Sequence, residues 1–453
     1  MKIEKIDAVH CRVNTKDRLK LLNCLGYKEV IWIQGQYGKR PKETKKFFID
    51  RNGYFFTGLL PRVEDYLERK GYVIEFVGRF RRLQSHKPNI KGIKFRSDQL
   101  DAIEDARRIQ RGVIHFPTGS GKTVIAAGLI SCFLPKKRVL FLCHTIDILT
   151  QTYQRFRGYG FPNIKILGGK HKDREGFLKG QVCLSTIQSF SSFNPKDYVD
   201  QYDIVIVDEA HHISSKGTQY GQVLQQMLAP VRVGLTATVP EKRESIFTVE
   251  GLIGPVIAKM TSEEAVNKKI LAQVKLNLIT VPKTSSVSGL RGFKVAYRDG
   301  IVRNRVRNKL IVQELERSIN NGETTLVMIR ELEHGENLMK MCRLFKVETI
   351  FLQGSDNSDI RRKVAEGFDK KKIKCVIASA IWKEGIDIPS LNHVINAFGG
   401  KGEIPTVQVA GRGTRTDKGR KSVVKMTDFL DPYRYLAEHT VRRIQIYRER
   451  GWL

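Results

Sequence analysis

Phe116-Pro117-Thr118-Gly119-Ser120-Gly121-Lys122-Thr123 is the stretch from which the rest of the chain can be read. The apolar run 113–116 leading into it reads as a strand, and the residues after it read as a helix. A glycine-rich turn in that setting lets backbone N–H groups approach phosphate oxygens at a helix N-terminus. Thr118, Gly119, Ser120 and Gly121 would form the cradle. Lys122 would reach the β- and γ-phosphates, and the Thr123 hydroxyl would sit on Mg²⁺. The strict G-x-x-x-x-G-K-[ST] pattern has glycine where this chain has Phe116. The stretch predicts a nucleoside triphosphate site at the edge of a parallel sheet.

Outward from the loop, short β-rich runs alternate with helix-length segments. Runs at 139–143, 182–185, 203–207 and 232–235 follow 113–116. After a mixed stretch at 264–299, others occur at 325–329, 348–352, 374–378, 393–396 and 422–426. Strands separated by helices imply parallel sheets covered on both faces. The predicted class is α/β, with two consecutive domains at 91–265 and 266–453. A small α+β module precedes them at 1–90. It has strands near 30–34, 47–50 and 72–77, a helix at 59–70, and a polar linker at 78–96. A final helix at about 432–448, with Tyr433, Leu436, Val441 and Ile444 at helical spacing, is expected to pack on the second domain.

Asp203-Ile204-Val205-Ile206-Val207-Asp208-Glu209-Ala210-His211 is an apolar strand ending in two carboxylates. Such a strand delivers them to the carboxyl edge of the sheet, where α/β ligands bind. Asp208 would hold Mg²⁺, and Glu209 would orient and deprotonate an attacking water.

Taken in order, these motifs resemble those of superfamily 2 helicases of the DEAH-box-like (DExH) type, over about residues 95–430. That resemblance implies two tandem RecA-like motor domains and ATP with Mg²⁺ as cofactors. Phe95-Arg96-Ser97-Asp98-Gln99 resembles the adenine-side motif, implying that Gln99 reads the base and Arg96 helps hold the nucleotide. The motifs carrying Thr145 and Gln151, and Thr186 and Gln188, are implied to touch the DNA backbone. Thr236-Ala237-Thr238, with His211, is implied to couple hydrolysis to strand movement. Residues 326–338, with His334, resemble motif IV. Motif V is carried by 384–389, with Gly385 and Asp387. Motif VI is carried by 408–415, with Gln408, Arg412 and Arg415. The two arginines would act as arginine fingers, an effect typically worth ~10³–10⁵ in rate.

Composition agrees with a polyanionic partner. There are 79 Lys+Arg against 47 Asp+Glu, a net charge of +32. Residues 1–94 alone carry 22 basic against 10 acidic side chains. Basic runs at 79–94, 170–174 and 370–374 are either nucleic-acid contacts or solvated faces. Trp32, Tyr37, Phe47, Phe48, Tyr54 and Phe55 either stack on bases or fill a small core, and the core reading is preferred. No apolar run approaches the ~20 residues that span a bilayer, so no membrane is expected. The N-terminus lacks a secretory signal, and the seven scattered cysteines read as reduced core residues. A cytoplasmic protein is therefore expected, in the host cytoplasm if phage-encoded.

Phe55-Phe56-Thr57-Gly58-Leu59-Leu60-Pro61 and residues 297–308, with Tyr297, Ile301, Arg305 and Asn308, resemble the UvsW-type phage helicases. That narrower resemblance implies branch migration on forks, R-loops and Holliday junctions, with the N-terminal module gripping duplex or branched DNA. A site completed within one chain needs no second subunit, so a monomer is expected. Three other readings stay open: an RNA helicase, a duplex-DNA translocase that does not separate strands, and a non-catalytic binder.

Overall fold

All five residues of the strand Val139–Cys143 are buried. So are all of Val182–Thr186 and all of Val231–Thr236. A strand buried on both faces needs helices above and below it, which is the environment of a parallel sheet. The computed structural model describes residues 1–35, 38–238, 240–284, 292–356, 358–379, 390–400 and 423–453, and it contains two such sheets.

The first has seven strands in the order Val256–Lys259, Arg111–His115, Val231–Thr236, Ile204–Asp208, Val139–Cys143, Val182–Thr186, Ile164–Leu167, with all neighbours parallel. The second has six: Gln273–Thr280, Val423–Leu430, His393–Asn396, Thr325–Met328, Cys375–Ala378, Ile350–Leu352, again all parallel. By contacts the chain divides into two units, residues 1–116 with 121–259 and residues 117–120 with 260–453.

The order of the first sheet positions its chemistry. Thr236 pairs with His115, and Asp208 pairs with Leu235. Three loops that are distant in sequence therefore leave the sheet side by side at its carboxyl edge.

The N-terminal residues build a four-stranded sheet in the order Tyr54–Phe56, His10–Val13, Lys2–Lys5, Glu75–Val77, with the helix Leu60–Arg69. They also build a two-stranded ribbon, Gly26–Gly35 paired with Gly38–Phe47. The four-stranded sheet shares one hydrophobic core with the seven-stranded sheet. Phe48, Phe55, Leu59 and Val63 cluster with Phe247, Val249 and Leu252. Gly58 lies so close to the Glu250 and Gly251 carbonyls that a Cβ there would overlap them. Arg62 grips Glu250 through Nε (3.1 Å) and Nη2 (2.5 Å), with its guanidinium 4.9 Å above the Phe247 ring. The connecting segment has no helix or strand between Val77 and Ser97, yet it is pinned: Leu83 and Gln110 exchange hydrogen bonds of 3.0 and 2.7 Å.

In the second unit, the last helix is Leu436–Glu449. Its buried face matches the expected apolar stripe in part: Tyr433 and Leu436 are buried, but Val441 is 65% exposed, and His439, Thr440 and Arg443 are buried as well. Ion pairing adds to apolar packing there, since Leu436, Ile446 and Tyr447 are buried too. Arg443 Nε lies 2.7 Å from Asp428 Oδ2, and the Tyr447 hydroxyl donates to the same oxygen at 2.8 Å. The seven cysteines are free. No helix among the described residues is long and apolar enough to cross a membrane.

Candidate ATP site and its coupling network

The loop after Arg111–His115 turns on two glycines in left-handed conformations, Gly119 at φ +88° and Gly121 at φ +95°. A side chain at either position would be strained, so glycine is required here on backbone grounds. Ser120 closes the turn by donating its hydroxyl to the Pro117 carbonyl at 2.8 Å. Gly121 caps the helix Lys122–Ser131, whose first turn carries Lys122 and Thr123; Thr118 lies within the turn. Lys122 Nζ donates to the Phe116 carbonyl at 3.2 Å, folded back over the cradle it would share with phosphate oxygens.

Gln99 stands against this loop. A Cβ on Gly121 would lie 2.6 Å from Gln99 Nε2. The Gln99 carboxamide oxygen accepts from the Arg96 backbone N–H at 3.1 Å, and the Arg96 guanidinium is paired with Asp98 at 2.8 Å. The two residues expected on the adenine side are thus held by their own contacts.

Asp208 ends its strand, and its Oδ1 accepts from the Glu209 N–H at 3.0 Å. Glu209 follows in a left-handed conformation, φ 51°, ψ 53°, uncommon for a residue with a Cβ. Burial, and then the charge of Glu209, push the Asp208 carboxyl up to about 7. Burial works against the Glu209 carboxylate too, but His211, Lys122 and His212 outweigh it and hold Glu209 well below the usual range. Glu209 Oε2 is buried without a hydrogen bond. Two desolvated carboxylates and a threonine hydroxyl are hard-oxygen donors of the kind that suits Mg²⁺. Asp208 and Thr123 fit the ion, and ATP fits the cradle.

From Glu209 the polar contacts continue. His211 Nδ1 lies 3.3 Å from Glu209 Oε2 and 3.1 Å from the Thr236 hydroxyl. That hydroxyl donates to the Thr238 carbonyl at 2.8 Å and faces the Thr238 N–H at 3.2 Å. The structure therefore brings His211, Thr236 and Thr238 into one chain of contacts with the acid pair. Sequence reasoning missed an extension of it. His212 stacks on His144 at 4.1 Å between ring centroids and lies 4.3 Å from His211. His144 immediately precedes Thr145, so the stack reaches a motif expected to meet DNA. Burial, and then the charges of His211 and His144, push His212 down to about 4, so the stack is neutral in the middle at pH 7. The signal available in the sequence was the second histidine of Ala210-His211-His212.

The DNA-contact candidates lie at the carboxyl ends of adjacent strands. Thr145 caps the helix Ile146–Gly158, accepting from the Ile148 N–H at 3.4 Å. Gln151 lies one turn further on, half-buried. Thr186 is 3% exposed, its hydroxyl used within its own turn by Ser189, whereas Gln188 is exposed. Gln188 is thus the reachable member of that motif. In the second unit His334 is fully buried, its Nε2 2.9 Å from Asn308 Oδ1. Tyr297, Ile301 and Asn308 are also buried, so these are framework positions. Gly385, Asp387, Gln408, Arg412 and Arg415 lie outside the described residues.

Two family models match the chain. "Type III restriction enzyme, res subunit" covers residues 92–241, and "Helicase conserved C-terminal domain" covers residues 306–417. Among curated proteins the chain is similar to the DNA 3'-5' translocase XPB2 of Sulfurisphaera tokodaii, with 26% identity over 68% of this chain and 76% of the relative. It is also similar to the ATP-dependent DNA helicase uvsW of Enterobacteria phage T4, with 22% identity over 78% of this chain and 74% of the relative. Among solved structures, the helicase domain of Pyrococcus furiosus Hef shares the fold at a TM-score of 0.50 and 14% identity, over 76% of this chain and 97% of that one. With a phosphate loop, an acid pair and two parallel-sheet domains of the matched types, the chain belongs to the superfamily 2 helicases.

Proposed function

We propose that this protein is an ATP-dependent DNA helicase or translocase that remodels branched DNA: forks, R-loops and Holliday junctions. The observation that carries the reading is the line of contacts from Glu209 of the acid pair, through His211, to Thr236 and Thr238. A site that only bound nucleotide would not need its acid pair linked to the loop after the neighbouring strand. Lys122 and the backbone of residues 118–121 bind and orient the triphosphate. Glu209, held ionised, takes a proton from the attacking water. Asp208 and Thr123 hold Mg²⁺, which supplies charge neutralisation at the phosphoryl oxygens. Gln408, Arg412 and Arg415, within the matched stretch 306–417, are assigned to the transferring phosphoryl group; Gly385 and Asp387 are assigned to the nucleotide. Thr145, Gln151 and Gln188 are assigned to the DNA backbone, with Thr186 shaping their turn.

DNA is favoured as the substrate by the printed activities of both curated relatives and by the net charge of +32. The branched-DNA reading rests on the likeness to uvsW and on the basic N-terminal module.

The test is ATP turnover and unwinding on a fork, a four-way junction, blunt duplex and RNA duplex. Lys122→Ala is expected to abolish DNA-stimulated turnover, and Glu209→Gln to lower it by ~10²–10⁴. Undiminished turnover in Lys122→Ala sinks the site assignment. Equal or better activity on RNA sinks the branched-DNA reading.

A further inference from the structure

We propose that the N-terminal ribbon carries a base-inserting site, Trp32 with Pro41, that enters DNA where its stack is already broken. This rests on the reading that DNA is the substrate, and it names a contact that reading does not supply. The ribbon is two ten-residue strands paired only with each other. At roughly 3.4 Å per residue it extends about 30 Å. Four consecutive apolar residues stand in water on one strand: Val30 is 58% exposed, Ile31 37%, Trp32 65% and Ile33 41%. A two-stranded ribbon is marginal by itself, and apolar side chains on both its faces make it worse unless something covers them.

The register says what covers them. Trp32 lies opposite Pro41, Ile33 opposite Arg40, Ile31 opposite Lys42, and Lys28 opposite Lys45. Cross-strand partners share a face, so one face presents a flat Trp–Pro surface and the other presents isoleucines beside cations. Residues 26–47 hold six basic and two acidic side chains. Both acids are already paired, Glu43 with Lys28 at 3.1 Å and Glu29 with Lys46 at 2.8 Å. Arg40, Lys42 and Lys45 have no acidic partner among the described residues. Apolar plates edged by spare cations match nucleic acid, whose bases lie between phosphate rows.

Energetics select the site on the DNA. Stacking one base on an aromatic ring is worth about ten- to a hundred-fold in affinity. Prising open an intact base step costs as much or more. Insertion therefore gains nothing in continuous duplex and gains its full value at a fork or junction, where a base is already unstacked.

The ribbon's root is fixed. Tyr27 and Phe48 stack on Phe247 at 5.9 and 5.0 Å between centroids, and Lys46 lies 3.8 Å from Glu244. Both anchors are on the helix Arg243–Leu252, which begins five residues after Thr238. The insertion point thus moves with the unit that holds Lys122 and Glu209.

The experiment uses the full chain and forked DNA with 2-aminopurine as the first unpaired base, without ATP. The wild type is expected to change the 2-aminopurine fluorescence. Trp32→Ala should lose that change and bind the fork about tenfold more weakly, with blunt-duplex affinity and single-strand-stimulated ATP turnover unchanged. Trp32→Phe should keep most of both. The proposal is overturned if Trp32→Ala keeps the signal and the fork preference, or if it weakens fork and duplex equally. It is also overturned if Trp32→Ala weakens binding only to phosphatidylserine vesicles, which would make the ribbon a lipid contact. A wild type that binds no fork would instead sink the underlying DNA reading.

Discussion

Thr236→Val isolates the link between the acid pair and the loop that follows the next strand. Thr236 is 2% exposed, and valine has its shape without its hydroxyl. That hydroxyl faces His211 Nδ1 at 3.1 Å, donates to the Thr238 carbonyl at 2.8 Å and meets the Thr238 N–H at 3.2 Å. At roughly 0.5–1.5 kcal/mol per hydrogen bond, losing this set costs about 2 kcal/mol, or roughly 30-fold in any equilibrium that depends on it. Lys122, Asp208 and Glu209 are left untouched, so basal ATP turnover should stay within about threefold. What should fall by roughly 30-fold is the factor by which DNA raises turnover, and unwinding should fall with it. The assay is steady-state ATP hydrolysis with and without forked DNA, beside a thermal melt that shows the variant is folded. A folded variant with wild-type DNA stimulation would refute the reasoning. A variant whose basal rate falls as far as its stimulated rate would place the hydroxyl in the chemistry and not in the coupling.

Acid should weaken the second unit through two buried histidines. Burial pushes His334 and His393 down to about 3 from 6.5, and the nearby charges of Arg307 and Lys425 add to it. Both stay neutral while the unfolded chain takes up protons below 6.5, so stability is intact above 6.5 and falls below it by about 2 kcal/mol per histidine at pH 5. Hydrogen exchange of the strands Thr325–Met328 and His393–Asn396 should show this, and His334→Gln should halve the pH slope; a flat profile would contradict it. Gly58→Val should overpack the seam against Glu250 and Gly251 and lower stability by about 1–3 kcal/mol in a denaturant titration, and an unchanged midpoint would mean the module is not docked there. Arg443→Met should cost about 3–5 kcal/mol by stranding Asp428, and adding Asp428→Asn should recover much of the loss. A double variant as unstable as the single one would argue against the ion pair as the cause.

The interior strands of both sheets could be read from sequence because their chemistry is unmixed. The expected strands 139–143 and 393–396 match the observed Val139–Cys143 and His393–Asn396. Edge strands were harder. Gln273–Thr280 fell in a stretch read as mixed, since its polar residues alternate with apolar ones and its partner Val423–Leu430 lies far along the chain. The ribbon was read as two short strands at 30–34 and 47–50. Its second strand, Gly38–Phe47, is densely charged with Pro41 inside it, and pattern rules count against both features. It is held instead by cross-strand partners, which a single strand's sequence does not display. Of the N-terminal aromatics, Phe48 and Phe55 do fill a core, whereas Trp32 and Phe47 are exposed. In the site, residue identity was legible and connectivity was not. Asp208, Glu209 and Thr236 stood out as motif members, but the stack of His144 on His212 depends on strand order.

The docking of the N-terminal residues changes what an experiment on them can mean. Read as a separate module joined by a polar linker, residues 1–90 invite deletion. In the structure their core is continuous with that of the first motor sheet, and Gly58, Arg62, Tyr27 and Phe48 all meet the single helix Arg243–Leu252. Lys216, four residues after His212, lies over the Phe48 and Phe56 rings at 4.7 and 4.8 Å. Removing residues 1–90 would expose that core, so lost activity would report unfolding as readily as lost DNA contact. The same packing gives the arrangement its mechanical content. The segments carrying His211 and Thr238 each run directly into a contact with the N-terminal sheet. A shift in the acid pair's surroundings therefore has two short routes along the chain to the base of the ribbon. Substitutions at the ribbon's exposed end, which leave those routes intact, separate DNA contact from folding where truncation cannot.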